Sequence, residues 1–168
     1  QRTLPQVTLR QGTAAECWAE IPTAAFDTVV INSVIQYFPS INYLLEVIRS
    51  AINALSPEGG RIFIGDVRSF ALLELFHASV QGEHAAAHLT YAQFRQRVQR
   101  QISHENELTV APEFFVALRQ HFPAIRHVET LPKRARARNE MACFRYDVIL
   151  HVGRDDTAAC SPSVMLAT

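Results

Sequence analysis

The chain has 168 residues, 18.9 kDa and 48% hydrophobic content, enough for one domain with a substantial core and too little for several. Its 16 basic and 16 acidic residues balance, which excludes a global field for steering nucleic acid or an anionic membrane. The 3 cysteines include no C-x-x-C pair, arguing against a disulfide framework, and no apolar run reaches the roughly 20 residues of a membrane helix, so a cytoplasmic protein is expected.

The chain opens on Gln1 rather than Met and reaches a strand-like run, Val7 to Gln11, almost at once, as though cut from something longer. Phe26 to Ile31 is apolar on both faces apart from Asp27 and Thr28, which predicts a buried parallel strand ending at Asn32. Ser40 is suited to cap a helix whose apolar positions Ile41, Leu44, Leu45, Ile48, Ile52 and Leu55 recur at helical spacing. Gly59-Gly60 resets the chain before a second apolar strand, Arg61 to Ile64, which runs into Gly65-Asp66-Val67-Arg68-Ser69. This strand–helix–strand crossover should set Asn32 and Asp66 on one carboxyl rim of neighbouring strands, where open α/β sheets bind their ligands. Further helices are predicted over 70–81, 91–107 and from Pro112 to His121. Residues 124–131 and 142–152 read as an antiparallel hairpin at a sheet edge, separated by Pro132 and the basic loop Lys133 to Arg138. After Gly153 the composition turns to that of a tail or linker, so the domain is expected at 1–153 and the tail at 154–168.

Polar groups directly after apolar strands are the first site candidates: Asn32 with Ser33, and Asp66 with Arg68. Such residues also cap helices and close turns. In Gln36-Tyr37-Phe38-Pro39 an aromatic ring could lie against a purine or pack in the core. Glu140, beside Asn139, could take a proton from an amine or be a surface charge, and the basic loop suits docking to an anionic partner. His77 follows Asp66 and Arg68 closely enough to approach the site or to sit in the core. His84 and His88 stand four apart, but no third ligand accompanies them, so no metal site is expected. No G-x-G-x-x-G, Walker or G-x-S-x-G sequence occurs.

Several phrases, in order and in register, resemble the N-methyltransferase domains of nonribosomal peptide synthetases. They are Asn32 to Pro39, Gly65 to Ser69, Phe76 to Gln81, Leu131 to Arg134, Asn139 to Met141 and Phe144 to Asp147. The resemblance covers about residues 7–153 and implies a Rossmann-like, doubly wound α/β fold of the class I S-adenosylmethionine-dependent type. The family's first strand with its glycine-rich turn, and its second strand with the ribose-binding acid, have no counterpart here, so the match is to the carboxyl-terminal part. The resemblance implies that S-adenosylmethionine is bound by Gly12, Thr13 and Ala14 near adenine and by Asn32, Ser33, Val34 and Tyr37. It places Asn32 nearest the reacting amine, makes Glu140, Asp66 and His77 candidate proton acceptors, and sets Asp66, Arg68 and Asn139 toward substrate. The implied substrate is a carrier-tethered aminoacyl thioester, with adenylation and carrier domains as neighbours. Two other readings stand beside it: an inactive fragment or interaction module that binds no cofactor, and a nicotinamide-dependent oxidoreductase, which would need a glycine fingerprint upstream.

Overall fold

The computed structural model describes residues 6–21, 23–85, 88–133 and 140–153. Strands β1 (Thr28–Asn32), β2 (Gly59–Arg68), β3 (Ile125–Pro132) and β4 (Arg145–Gly153) form one mixed sheet in the order β1-β2-β4-β3. β1 and β2 are parallel, joined through helix α1 (Ile41–Ala54), whereas β4 runs antiparallel to both β2 and β3. The hairpin expectation holds, with its later strand on the inside and β3 at the edge.

α1 starts as the sequence dictates: the Ser40 hydroxyl accepts from the Tyr43 amide at 3.2 Å. Its buried stripe of Leu44, Val47, Ile48 and Ala51 packs on Ile31, Ile62 and Ile64. Helix α4 (Pro112–His121) adds Phe115 and Leu118 to the same core, with Phe115 edge-on to Tyr146 at 6.2 Å. Helices α2 (Leu73–Glu83) and α3 (Tyr91–Ser103) pack against each other beyond the end of β2, and Thr90 and Gln93 form a capping box for α3.

Four expectations are corrected. β1 is buried on one face only: Ile31 is 7% exposed and Val30 64%. Both α1 and α4 cover the Ile31 face, and a continuous apolar run cannot reveal whether a second layer exists. Val7 to Gln11 forms no strand, and Leu9 is 89% exposed; a strand needs a ladder, which a strand-like local pattern does not by itself supply. The helix predicted to reach Glu107 stops at Ser103, because the chain beyond it turns away to hydrogen-bond across the molecule at Leu108 and Val110. Residues 140–143 form a short helical turn, α5 (Glu140–Cys143), ahead of β4. Residues 154–168 lie outside those described, and no helix among the described residues is long and apolar enough to cross a membrane.

Candidate functional site

The carboxyl ends of β1 and β2 meet. Asn32 pairs with Gly65 in the ladder, and the Ser33 amide donates to the Gly65 carbonyl at 3.2 Å. Both chains then turn through the left-handed region at non-glycine residues, Ser33 (φ 57°) and Asp66 (φ 62°). Each such residue costs on the order of 1–2 kcal/mol, and strain of this kind collects at sites where side-chain placement matters. In β2 the turn coincides with an irregularity between Ile64 and Val67, which re-aims Asp66.

The Ser33 hydroxyl donates to Asp66 Oδ2, and Asn32 Nδ2 donates to Ser33 Oγ at 3.0 Å. Lys133 Nζ bridges Asp66 Oδ1 (2.6 Å) and Asp147 Oδ1 (2.7 Å), while the Asp66 amide donates to Asp147 at 2.9 Å. Burial alone would raise the Asp66 carboxyl, but hydrogen bonds from Lys133 and Ser33 and the charges of Lys133 and Arg145 hold it below its ordinary value. Burial likewise opposes the Lys133 charge, and the two aspartates outweigh it and raise that group. Gly65 makes this packing possible, since a Cβ there would run into Asn32 Oδ1 and the Phe63 ring.

A second cluster lies two residues further along β2. Arg68, 8% exposed, donates to Glu105 Oε2 at 2.8 Å and to Glu107 Oε2 at 2.9 Å, with its guanidinium 5.0 Å from the Phe76 ring centroid. His77 Nε2 lies 3.2 Å from the same Glu105 oxygen. The hydrogen bond from Arg68 leads the effects that push the Glu105 carboxyl down to about 2. These groups line an open cleft of about 500 Å³, closed on its other side by Phe144 and Arg145. Segment 104–111 forms one wall, pinned by Leu108 N to Gln36 O (2.8 Å), Val110 N to Arg68 O (2.9 Å) and Tyr146 Oη to Val110 O (2.9 Å).

Of the residues singled out in the sequence, Asn32, Ser33 and Asp66 share one network, while Arg68 and His77 share the other through Glu105. Tyr37 is 72% exposed and Val34 is 40% exposed, whereas Phe38 is core. Gly12, Thr13 and Ala14 form a turn that Glu16 closes on Thr13, and it docks at the start of α1 through Ala15 N to Tyr43 Oη at 3.0 Å. No hydrogen bond joins it to the rim networks among the described residues. Asn139 and the Glu140 side chain lie outside the described residues. Arg68 and Lys133, expected to face a partner, are each committed to two carboxylates. Sequence reasoning missed Glu105, Glu107 and Asp147 as site residues. An acid inside the otherwise apolar run from Tyr146 to Leu150 was a usable signal for Asp147, but the two glutamates looked like the solvated face of a helix.

The fold and strand-end geometry define a class I methyltransferase-type α/β domain. A solved S-adenosylmethionine-dependent methyltransferase from Archaeoglobus fulgidus superposes with a TM-score of 0.52 at 13% identity, covering 88% of this chain and 68% of that one. A possible exported protein from Bordetella parapertussis gives 0.54 at 18% identity, covering 89% and 45%. No family profile matches the chain. In sequence it is 49% identical over 150 residues to chondramide synthase of Chondromyces crocatus, covering 89% of this chain and 4% of that protein. It is 41% identical over 151 residues to nonribosomal peptide synthetase penN of Penicillium thymicola, covering 89% and 5%. Cyclosporin synthetase of Tolypocladium inflatum matches at 39% over 130 residues, 77% of this chain and 1% of that protein. The chain is therefore a relative of one short segment of nonribosomal peptide synthetases, and it fits the carboxyl-terminal part of an N-methyltransferase domain.

Proposed function

We propose that the chain is part of a domain that transfers the methyl group of S-adenosylmethionine to the α-amine of a carrier-bound aminoacyl thioester during nonribosomal peptide synthesis. The observation that carries the reading is the joining of the β1 and β2 ends: Asn32, Ser33 and Asp66 meet in one strained, hydrogen-bonded rim. The relatives supply the synthetase context.

The residues fit one wall of a nucleoside-sulfonium site. Asn32 is exposed at the rim, and Tyr37 offers an uncovered ring in the turn that follows β1. Asn32, Ser33, Val34 and Tyr37 would hold the cofactor there, with Gly12, Thr13 and Ala14 toward its adenine. When bound, it supplies a methyl group already activated on sulfur, so no covalent enzyme intermediate is required. The chain's own task is to orient the amine, exclude water and take a proton. Asn32 orients the amine through its side-chain amide. Asp66, held ionised by Lys133, is better suited to fixing the rim and attracting an ammonium than to accepting its proton. Glu140 and His77 remain acceptors in this reading, and Arg68 and Asn139 face the substrate side. The neighbours are then the adenylation and carrier domains of the same synthetase, in the cytoplasm.

Asn32→Ala in the full-length protein is expected to lower turnover about 100-fold or more while leaving the unfolding midpoint nearly unchanged, by analogy with loss of a positioned polar group. Unchanged turnover would remove Asn32 from the site. A second reading, a cofactor-free interaction module, is favoured by one observation: β1 is an edge strand with Val30 open. Equilibrium dialysis of the chain against labelled S-adenosylmethionine separates the two, since saturable binding rejects the module.

A further inference from the structure

We propose that His77 is the group that accepts the proton of the substrate amine and that Glu105 is its positioning residue; the assignment rests on the methyl-transfer reading. Neither the resemblance nor the strand-end pattern singles out Glu105. His77 is 9% exposed in α2, and its Nε2 lies 3.2 Å from Glu105 Oε2. A carboxylate oxygen only accepts, so Nε2 must carry the hydrogen, and in a neutral imidazole the lone pair then belongs to Nδ1.

Glu105 is held more firmly than a surface glutamate. Arg68 donates to its Oε2 at 2.8 Å and the Glu107 amide to its Oε1 at 3.0 Å, and the segment carrying it is tied to both Arg68 O and Tyr146 Oη through Val110. Orientation therefore passes from the sheet to Arg68, to Glu105 and to the ring. The ring opens on the 500 Å³ cleft, where Arg145 also stands, and the Arg145 charge reaches Asp66 at the rim. Of the three acceptors weighed, Asp66 is held ionised in its ion pair with Lys133 and the Glu140 side chain lies outside the described residues, while His77 has an acceptor nitrogen left over. No partner for Nδ1 occurs among the described residues.

The step balances simply. The substrate ammonium gives one N–H proton to Nδ1, and the bonding pair stays on the nitrogen as the lone pair that attacks. The resulting imidazolium is stabilised by the Glu105 carboxylate and returns its proton to solvent through the open cleft. The charged and titratable groups facing the ring are Arg68 from β2, Arg145 from β4, and His104, Glu105 and Glu107 from segment 104–111.

Two measurements test this. Long-range proton–nitrogen correlation on the isotope-labelled chain must find the Nε2–H tautomer of His77 with a bare Nδ1; a proton on Nδ1 instead overturns the proposal without any variant. In the full-length protein acting on an aminoacyl thioester, His77→Gln should lower turnover about 100-fold or more with KM little changed. Glu105→Gln keeps the shape and an acceptor oxygen but removes the charge, so turnover should fall about tenfold or more and the ascending limb of its pH profile should move to lower pH. Glu105→Asp should recover part of the loss. A purely structural Glu105 would leave that limb in place whatever the loss of stability, and this result overturns the proposal. If His77→Gln turns over as wild type, the inference fails while the methyl-transfer reading stands. If the wild-type protein methylates no carrier-bound amine, both fail.

Discussion

Asn32 and Gly65 face each other at the last register pair of the parallel strands, and the side chain of one occupies the space that the other leaves. Gly65→Ala must therefore push Asn32 or Phe63 aside. It should destabilise the chain by about 1–3 kcal/mol in urea unfolding, the usual range for overpacking a closed site. Charge acts at this scale too. Glu105 is held down to about 2 from an ordinary 4.5, chiefly by Arg68. A folded-state value below the unfolded one means that its stabilisation is complete above the ordinary carboxylate range and is lost as pH falls from 4.5 toward 2. Asp66 acts in the same direction. Glu105→Gln should then be less stable at neutral pH and lose less stability over that acid interval, as read from urea midpoints against pH. Equal slopes for the two proteins would refute the linkage.

Segment 104–111 shows how much an irregular element can decide. It crosses from the end of α3 to the start of α4 and bonds to Gln36, Arg68 and Tyr146 on the way. The Tyr146 phenol is buried, which pushes its ionisation up, so it remains a donor to the Val110 carbonyl at any ordinary pH. Tyr146→Phe should lower stability by about 1 kcal/mol. Hydrogen exchange should quicken at the Leu108 and Val110 amides while the middle of α1 stays protected; uniform quickening would mean that the segment is no separate unit. The helix ends illustrate what is local. Ser40 caps where the sequence marks it, because a cap is made within four residues, and Thr90 does the same for α3. α3 ends earlier than the sequence predicts: His104 and Glu105 bond back into its last turn, and the bonds that carry the chain away, from Leu108 and Val110, go to residues far off in the sequence.

At the scale of the whole molecule the sheet is covered on one face. Ile31, Ile62, Ile64, Val148 and Leu150 lie beneath α1 and α4, and β1 is an edge strand whose Val30 is open. An apolar edge of this kind pairs readily with another chain. Val30→Lys should reduce concentration-dependent association in sedimentation velocity and shift the unfolding free energy by no more than about 0.5 kcal/mol. A large loss of stability would mean that Val30 is packed after all.

The sequence by itself determined the crossover, the Ser40 cap, α1, α4, the final antiparallel pair and the placement of Asn32 and Asp66 on one rim. These follow from periodicity and turn chemistry within short windows, and from the rule that neighbouring parallel strands end on the same side. Only the tertiary structure decided which face of β1 is buried, that Val7 to Gln11 forms no strand, and that Arg68 and Lys133 are committed to carboxylates. The physical reason is separation along the chain. Arg68 meets Glu105 and Glu107 across 37 and 39 residues, and the Asp66 amide meets Asp147 across 81. Over such spans a side chain's partner is set by where the packed elements bring it, and no local pattern records that distance.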